Sequence, residues 1–227
     1  MKEIIIKSVF FDLDGTLIDT EKYYKRCWPL AFKYYGYDVK EEQFLTLRSL
    51  GKPFANERMQ MWFGKDIPCD NIRNKVRELT YALIEKEGLL LKKGVIDTLN
   101  FLKDKKVKIA VVTATNKDRT IKCLQETKII DYFDDIVSAT EVNRGKPAPD
   151  VYIYAANKVG VNLRECIVVE DSPNGANSGI SAGAKVIMVP DLTKPDDKLN
   201  NELFAVLDSL DDFANFITNN NIILQKY

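Results

Sequence analysis

The chain has 227 residues, with 33 lysines and arginines balanced by 33 aspartates and glutamates, and it contains no histidine. The balanced charge gives no sign of a nucleic acid polymer or an anionic membrane surface as a partner. The absence of histidine excludes a Ser-His-Asp triad, a histidine general base and histidine-ligated zinc. Any chemistry must therefore rest on carboxylates, lysine and hydroxyl groups.

The N-terminus and the cysteines indicate the class of protein. The first apolar run is interrupted by Lys7, and no apolar run of about 18 residues follows, so neither a leader nor a membrane span is predicted. The cysteines are far apart and form no CxxC pair, which favours reduced core thiols. We expect a soluble cytoplasmic monomer. The four cysteines are Cys27, Cys69, Cys123 and Cys166.

Apolar runs rich in valine, isoleucine and phenylalanine alternate with helical patterns along much of the chain. Continuous apolar strands separated by helices are typical of a parallel sheet covered on both faces. We therefore predict an α/β fold with a Rossmann-like parallel sheet. The predicted strands lie at 4–11, 107–113, 134–139, 166–169 and 185–189.

One long interval has only helical patterns. Residues 18–92 contain no convincing strand, and their helical segments close on glycines that suit C-terminal caps. The first of these helices begins at Asp19 or Thr20 and should bend at Pro29. We predict a small inserted helical domain at 18–92, with an α/β core formed by 1–17 and 93–227.

Polar residues follow the predicted strands of the core. Because ligands of open α/β sheets gather at the carboxyl ends of the strands, these residues should share one rim. Asp12 and Asp14 lie two positions apart, so their carboxylates would repel each other unless a cation holds them. The residues at strand ends are Asp12, Asp14, Thr113, Lys146, Glu170 and Asp171.

The residue types at this rim suit phosphoryl transfer. An oxygen-only donor set without histidine or cysteine indicates Mg²⁺. Thr113 and Lys146 can bind the oxygens of a phosphoryl group, and a carboxylate can attack phosphorus. Arg48 and Lys52 could contact a distal anionic group or simply lie at a solvated helix end. Further candidates for phosphate binding lie in two turns, at Gly15, Thr16, Ala114, Thr115 and Asn116.

Four motifs in this order resemble the haloacid dehalogenase superfamily. They are DLDGT at 12–16, Thr113 after an apolar strand, Lys146 in KPAPD, and EDSPNGA at 170–176. The helical insert is similar to the cap of the subfamily that includes β-phosphoglucomutase and many small-metabolite phosphatases. The resemblance implies that Asp12 is the nucleophile, Asp14 the general acid and base, and Thr113 and Lys146 the phosphoryl binders. It also implies Mg²⁺ ligands at Asp12, the backbone carbonyl of Asp14, Glu170 and Asp171.

Within the superfamily, the sequence favours a Mg²⁺-dependent phosphatase for a small phosphorylated metabolite such as a sugar phosphate. Asp14 argues against the dehalogenases and the phosphonate hydrolases. β-Phosphoglucomutase has a histidine where this chain has Tyr24, which favours transfer to water over a sugar phosphomutase. A 5′-nucleotidase stays open as an alternative. A phosphate-sensing binding module is the non-enzymatic alternative, although such modules are about half this length and have no helical cap.

Overall fold

A computed structural model describes residues 3–226, which form two parallel sheets and ten helices of four or more residues. The main sheet has six strands, and a smaller sheet has two. The strands are β1 (Ile4–Ile6), β2 (Ser8–Phe11), β3 (Lys108–Thr113), β4 (Asp135–Ser138), β5 (Cys166–Glu170), β6 (Lys185–Met188), β7 (Ala205–Val206) and β8 (Ile222–Leu224).

The main sheet has the strand order β4-β3-β2-β5-β6-β7, and every neighbouring pair is parallel. The α/β fold with a parallel sheet is therefore confirmed. Helices connect and cover the strands. They are α1 (Glu21–Tyr34), α2 (Glu41–Leu45), α3 (Phe54–Phe63), α4 (Cys69–Glu87), α5 (Val95–Asp104), α6 (Lys117–Glu126), α7 (Asp150–Val159), α8 (Pro173–Ser181), α9 (Asp197–Glu202) and α10 (Phe213–Asn219).

The prediction of a single strand over 4–11 is wrong, because the chain changes sheets at Lys7. Strand β1 pairs with β8 in the small sheet, whereas β2 lies in the centre of the main sheet. Between them, the Lys7 N–H donates to the Glu165 carbonyl at 2.8 Å, and its side chain pairs with the Glu165 carboxylate at 3.0 Å. The charged residue inside the apolar run therefore marks a real break.

The central strands are buried on both faces of the main sheet. In β2, Val9 and Phe11 belong to one hydrophobic cluster, and Phe10 belongs to the cluster on the opposite face. Successive side chains of a strand point to opposite faces, so both faces must be apolar when helices cover both. This explains the continuous apolar runs and places the functional rim between two packed layers.

The helical insert has a hydrophobic cluster of its own, which includes Phe32, Met59 and Val76. The two segments that connect it to the sheet run side by side, since the Asp19 N–H donates to the Leu90 carbonyl at 2.8 Å. The division of the chain at residues 18 and 92 stays a prediction that this separate cluster supports. We call the continuous segment from the start of α1 to the end of α4, loops included, the cap, and the remainder the core.

Two further expectations concern the cap helices and the thiols. Helix α1 continues through Pro29, and α3 and α4 end at Gly64 and Gly88, which have φ values of 88° and 89°. The four cysteines are buried free thiols. Within residues 3–226, no helix combines the length and apolarity needed to cross a membrane.

Candidate active site

The carboxyl ends of β3, β2 and β5 form the centre of the candidate site. Asp12 directly follows β2, Thr113 is the last residue of β3, and Glu170 is the last residue of β5. These three strands are neighbours in the main sheet, so their ends deliver the side chains to one rim. All three side chains are buried. The structure therefore brings Asp12, Thr113 and Glu170 together at one rim, as their positions at strand ends predicted.

Lys146 joins the carboxylates at the floor of the site. It comes from the loop between β4 and α7, and its Nζ donates to Asp12 Oδ1 and Glu170 Oε1, both at 2.6 Å, and to the Val112 carbonyl at 3.0 Å. Burial lowers the pKa of Lys146, but the Asp12 and Glu170 carboxylates outweigh it and hold the pKa above its usual value. The lysine is therefore a fixed positive charge beside Asp12.

The acidic residues fit a divalent cation. Oxygens of Asp12, Glu170 and Asp171 lie within 4.8 Å of one another. Among the described residues, buried Glu170 Oε2 and Asp171 Oδ1 have no hydrogen-bond partner. Burial raises the pKa of Glu170 to about 7 and that of Asp171 well above its usual range, although Lys146 and Arg48 act in the opposite direction. The cluster thus has three carboxylates against the two basic side chains that contact it, Lys146 and Arg48, and two of its oxygens have no hydrogen-bond partner. A divalent cation bound through oxygen ligands would fit this site.

Two glycines make room for the acidic residues. A Cβ on Gly15, whose φ is +82°, would lie 2.3 Å from Asp171 Oδ2. A Cβ on Gly175, in the first turn of α8, would lie 2.0 Å from Glu170 Oε2. The Gly15 N–H donates to the Ile18 carbonyl at 2.9 Å, and the predicted phosphate contact of Gly15 stays a prediction.

Asp14 is held apart from this cluster by two hydroxyl groups. Thr20 Oγ1 donates to Asp14 Oδ1 and Thr115 Oγ1 donates to Asp14 Oδ2, both at 2.6 Å. Burial raises the pKa of Asp14, and the two hydroxyl donors act against it. Thr20 also precedes α1 but makes no capping hydrogen bond with its side chain. Its predicted capping role is replaced by this contact.

The turn residues have different surroundings. Thr113 Oγ1 accepts from the Thr115 N–H at 3.1 Å, and Ala114 and Thr115 line the cavity above the rim. Asn116 is exposed and caps α6, with its side chain accepting from the Arg119 N–H at 2.9 Å. The buried Thr16 Oγ1 has no hydrogen-bond partner in the described part of the chain. The roles predicted for these residues stay predictions.

The two basic cap candidates lie in different places. Arg48 is buried, and its Nε donates to Glu21 Oε2 at 2.8 Å, its Nη1 to Thr193 Oγ1 at 3.1 Å and its Nη2 to Asp171 Oδ2. Lys52 is largely exposed and pairs with Asp70 at 2.8 Å. Arg48 is thus the one of the two that reaches the acidic cluster.

A cavity lies between the cap and the sheet rim, and cap residues form much of its wall. Sequence reasoning missed most of these residues, because helix rotation decides which of them face the core. One signal could have identified two of them, because Arg73 and Arg77 lie one helical turn apart on α4 and close to the buried Val76. The cap residues of the wall include Glu21, Tyr24, Trp28, Arg48, Arg73, Val76 and Arg77.

Sequence reasoning also missed Tyr152 of α7. Its hydroxyl donates to Glu170 Oε1 at 2.5 Å, and Lys146 Nζ lies 5.1 Å from the centre of its ring. The side chain is fully buried. Tyr152 therefore fixes the carboxylate that Lys146 also contacts.

Comparisons with known proteins agree with this geometry. The chain is 32% identical over 208 residues to hexitol phosphatase A of Escherichia coli, covering 90% of this chain and 92% of that protein. It is 29% identical over 188 residues to the phosphorylated carbohydrates phosphatase of Thermotoga maritima, covering 80% and 84%. The crystal structure of β-phosphoglucomutase from Clostridium difficile has the same fold, with a TM-score of 0.80 at 22% identity over 96% of this chain and 97% of the other.

A family model described as haloacid dehalogenase-like hydrolase matches residues 9–189, which is most of the chain. The predicted resemblance and the predicted enzyme class, a phosphatase, are confirmed. The chain belongs to the haloacid dehalogenase-like hydrolase family.

Proposed function

We propose that this protein is a Mg²⁺-dependent phosphatase that hydrolyses a small sugar or polyol phosphate through an aspartyl phosphate on Asp12. The observation that carries the proposal is the separation of two carboxylates at one rim. Asp12 contacts Lys146 and lies in the acidic cluster, whereas Asp14 is held by the hydroxyls of Thr20 and Thr115. One carboxylate thus contacts a buried lysine, and the other contacts only neutral hydroxyl groups.

Asp12 is the proposed nucleophile. Lys146 binds its Oδ1, which leaves Oδ2 as the oxygen that attacks phosphorus. The bond from phosphorus to the substrate oxygen breaks as the Asp12–phosphorus bond forms. Thr113 and Lys146 then bind the transferring phosphoryl oxygens, because a hydroxyl donor and a fixed positive charge stabilise the charge in the transition state.

Asp14 is the proposed general acid and base. Its raised pKa suits a group that donates a proton to the departing substrate oxygen. It then takes a proton from the water that attacks the phosphoryl group, and cleavage of the Asp12–phosphorus bond releases phosphate and restores both groups. The cap would exclude bulk water during the first step and admit a water for the second.

Mg²⁺ would be held by Asp12, Glu170, Asp171 and the backbone carbonyl of Asp14, and when bound it supplies positive charge to the phosphoryl oxygens. The unpartnered oxygens of Glu170 and Asp171 support this assignment. Tyr152 and Lys146 position Glu170 for it.

Tyr24 supports hydrolysis over mutase chemistry. Burial raises the pKa of its phenol well above the usual value, so the phenol stays protonated near neutral pH. It cannot exchange a proton there as a histidine can. The two phosphatase relatives act, by name, on hexitol and carbohydrate phosphates, which is why we propose sugar and polyol phosphates as substrates.

The test is phosphate release by the purified protein from a panel of sugar phosphates, polyol phosphates and nucleotides, with Mg²⁺ and with a chelator. We expect many turnovers on several sugar or polyol phosphates with Mg²⁺ and almost none with chelator. Full activity in chelator would refute metal dependence. Conversion of β-glucose 1-phosphate to glucose 6-phosphate without phosphate release would indicate a mutase, and a single stoichiometric labelling would indicate a sensing module.

A further inference from the structure

The cap side of the cavity has positive charge without a matching negative charge. Arg73 and Arg77 lie one turn apart on α4 and both line the cavity. Neither forms an ion pair with a carboxylate of residues 3–226. Buried Arg73 Nη1 has no hydrogen-bond acceptor among these residues, and Arg77 Nη1 donates only to the neutral Asn74 side chain at 2.8 Å.

This arrangement is unfavourable in the absence of an anion. A buried donor without an acceptor loses its hydrogen bonds to water, and two neighbouring guanidinium groups repel each other. Burial, with a smaller contribution from Arg77, lowers the pKa of Arg73; Asp70 acts in the opposite direction, but its carboxylate accepts from Lys52 and Asn56. A bound oxyanion would supply an acceptor for Arg73 and neutralise charge on both arginines.

The acidic residues that line the same cavity do not pair with Arg73 or Arg77. Glu21 is the cap carboxylate that lines the cavity, and it binds Arg48 at 2.8 Å. Asp14, on the core side, accepts from Thr20 and Thr115. Arg48 itself contacts Glu21 and Asp171, so its charge is already compensated. Among the basic residues that line the cavity, Arg73 and Arg77 are thus the ones without a carboxylate partner in residues 3–226.

We infer that the substrate carries a second anionic group, remote from the phosphoryl group that is transferred, and that Arg73 and Arg77 bind it. A guanidinium group binds a carboxylate or phosphate through two parallel hydrogen bonds, so either oxyanion suits this subsite. The inference rests on the proposed function, because the phosphoryl group must occupy the Asp12 end of the cavity. It narrows the substrate from sugar and polyol phosphates in general to those with an anionic far end.

Pairs of matched substrates isolate the effect of the second anionic group on kcat/KM. Glycerol 3-phosphate and 3-phosphoglycerate have the same carbon skeleton and differ in one end, which is an alcohol or a carboxylate. Glucitol 6-phosphate and 6-phosphogluconate form the same comparison with six carbons. Fructose 6-phosphate and fructose 1,6-bisphosphate test a second phosphate. We would measure kcat/KM for each pair with wild type, Arg73→Gln, Arg73→Lys, Arg77→Gln and, as a control, Lys86→Gln, an exposed residue of the same helix.

In at least one pair, we expect wild type to prefer the compound with the second anionic group by about tenfold or more. A charge-assisted hydrogen bond provides a preference of this size. Arg73→Gln and Arg77→Gln should each reduce that ratio by about tenfold, Arg73→Lys should retain part of it, and Lys86→Gln should leave it unchanged. The inference is overturned if wild type shows no preference in any pair, or if the preference survives in both glutamine variants.

Failure of the proposed function would look different. In that case neither member of any pair, nor 4-nitrophenyl phosphate, would release phosphate with Mg²⁺. Calorimetric binding of glycerol 3-phosphate and 3-phosphoglycerate to wild type and Arg73→Gln then decides the subsite without turnover. Tighter binding of 3-phosphoglycerate that Arg73→Gln abolishes supports the subsite, and equal binding of the two compounds overturns it.

Discussion

On the core side of the cavity, Lys146 lies 2.6 Å from two carboxylates, whereas on the cap side Arg73 has a buried nitrogen without an acceptor. Asp12, which Lys146 contacts, and Arg73 line the same cavity. The core cation is held by two carboxylates of its own chain, whereas no carboxylate of residues 3–226 forms an ion pair with the cap cation. We interpret the first as a prearranged part of the reaction and the second as a contact reserved for the substrate.

The comparison separates chemistry from specificity. The phosphoryl group is common to all phosphate monoesters, so the groups that act on it can be fixed in advance by the fold. The remainder of the substrate varies, and the cap can vary with it while the sheet rim stays the same. Changes on the core side should therefore affect every substrate alike, and changes on the cap side should affect substrates unequally.

The largest effect is expected for Asp12→Asn. An amide cannot act as the nucleophile, so kcat should fall at least about 10⁴-fold for every substrate that wild type hydrolyses. Phosphate release across the substrate panel measures this, with circular dichroism as a control for folding. If the variant retained substantial activity on any one of these substrates, the nucleophile would not be Asp12.

The next prediction concerns the buried lysine. Lys146→Met leaves Asp12 and Glu170 without their shared counter-ion, so the free energy of unfolding in chelator should fall by about 3–5 kcal/mol. Added Mg²⁺ should restore part of the loss, because binding to the folded state stabilises it. Urea unfolding with and without Mg²⁺ measures both effects.

Lys158→Met is the matched control for this measurement. Lys158 pairs with Asp135 at 2.7 Å, but both side chains are partly exposed. A pair in contact with water contributes less than about 1 kcal/mol, and its loss should not depend on Mg²⁺. Similar losses in the two variants would contradict the view that Lys146 is held by buried carboxylates.

Much of the core side could be predicted from the sequence, for a physical reason. Asp12, Thr113 and Glu170 follow continuous apolar strands, and a parallel sheet brings successive strand ends to one rim. Their convergence needs only the local pattern and the sheet rule. The strand break at Lys7 was missed because pairing of β1 with β8 joins distant parts of the chain.

The cap side could not be predicted in the same way. Whether Arg48 meets Asp171 or solvent depends on how the cap packs on the core, and no local pattern encodes that contact. Thr20 shows the same limit at a single residue. It has the right type and position for a helix cap, but a tertiary hydrogen bond to Asp14 replaces the local one.

A third prediction tests the space behind the acidic cluster. Gly175→Ala would place a Cβ 2.0 Å from Glu170 Oε2, so the carboxylate must move. We expect the Kd for Mg²⁺ to rise about 10- to 100-fold, as for other changes behind a metal ligand. Calorimetric titration with Mg²⁺ measures it without turnover.

Gly179→Ala, one turn later in α8, is the control for this variant. Its Cβ would lie 2.8 Å from Val186 Cγ2, so it should lose about 1–3 kcal/mol of stability through overpacking. Its affinity for Mg²⁺ should stay the same. Equal Mg²⁺ affinities in the two variants would indicate that Glu170 is not a ligand, or that it tolerates displacement.

The smallest effect is expected where the core holds the cap. Asn174 of α8 donates from Nδ2 to the backbone carbonyls of Thr46 and Arg48, at 2.9 and 2.8 Å. Asn174→Ala removes both hydrogen bonds, and the carbonyls can turn to water. Amide hydrogen exchange in residues 46–51 should therefore accelerate about threefold to tenfold, with little change in overall stability.

Asn177→Ala is the control, because it removes only a contact within α8, from Nδ2 to the Pro173 carbonyl, and should leave this exchange unchanged. Equal exchange in the two variants would show that the other contacts of this segment hold it against the core, namely the Arg48 ion pair with Asp171 and the Gly51 N–H donated to the Lys146 carbonyl at 2.8 Å. The acidic cluster would then contribute to cap closure as well as to metal binding, and the two sides of the cavity would be less independent than their charges indicate.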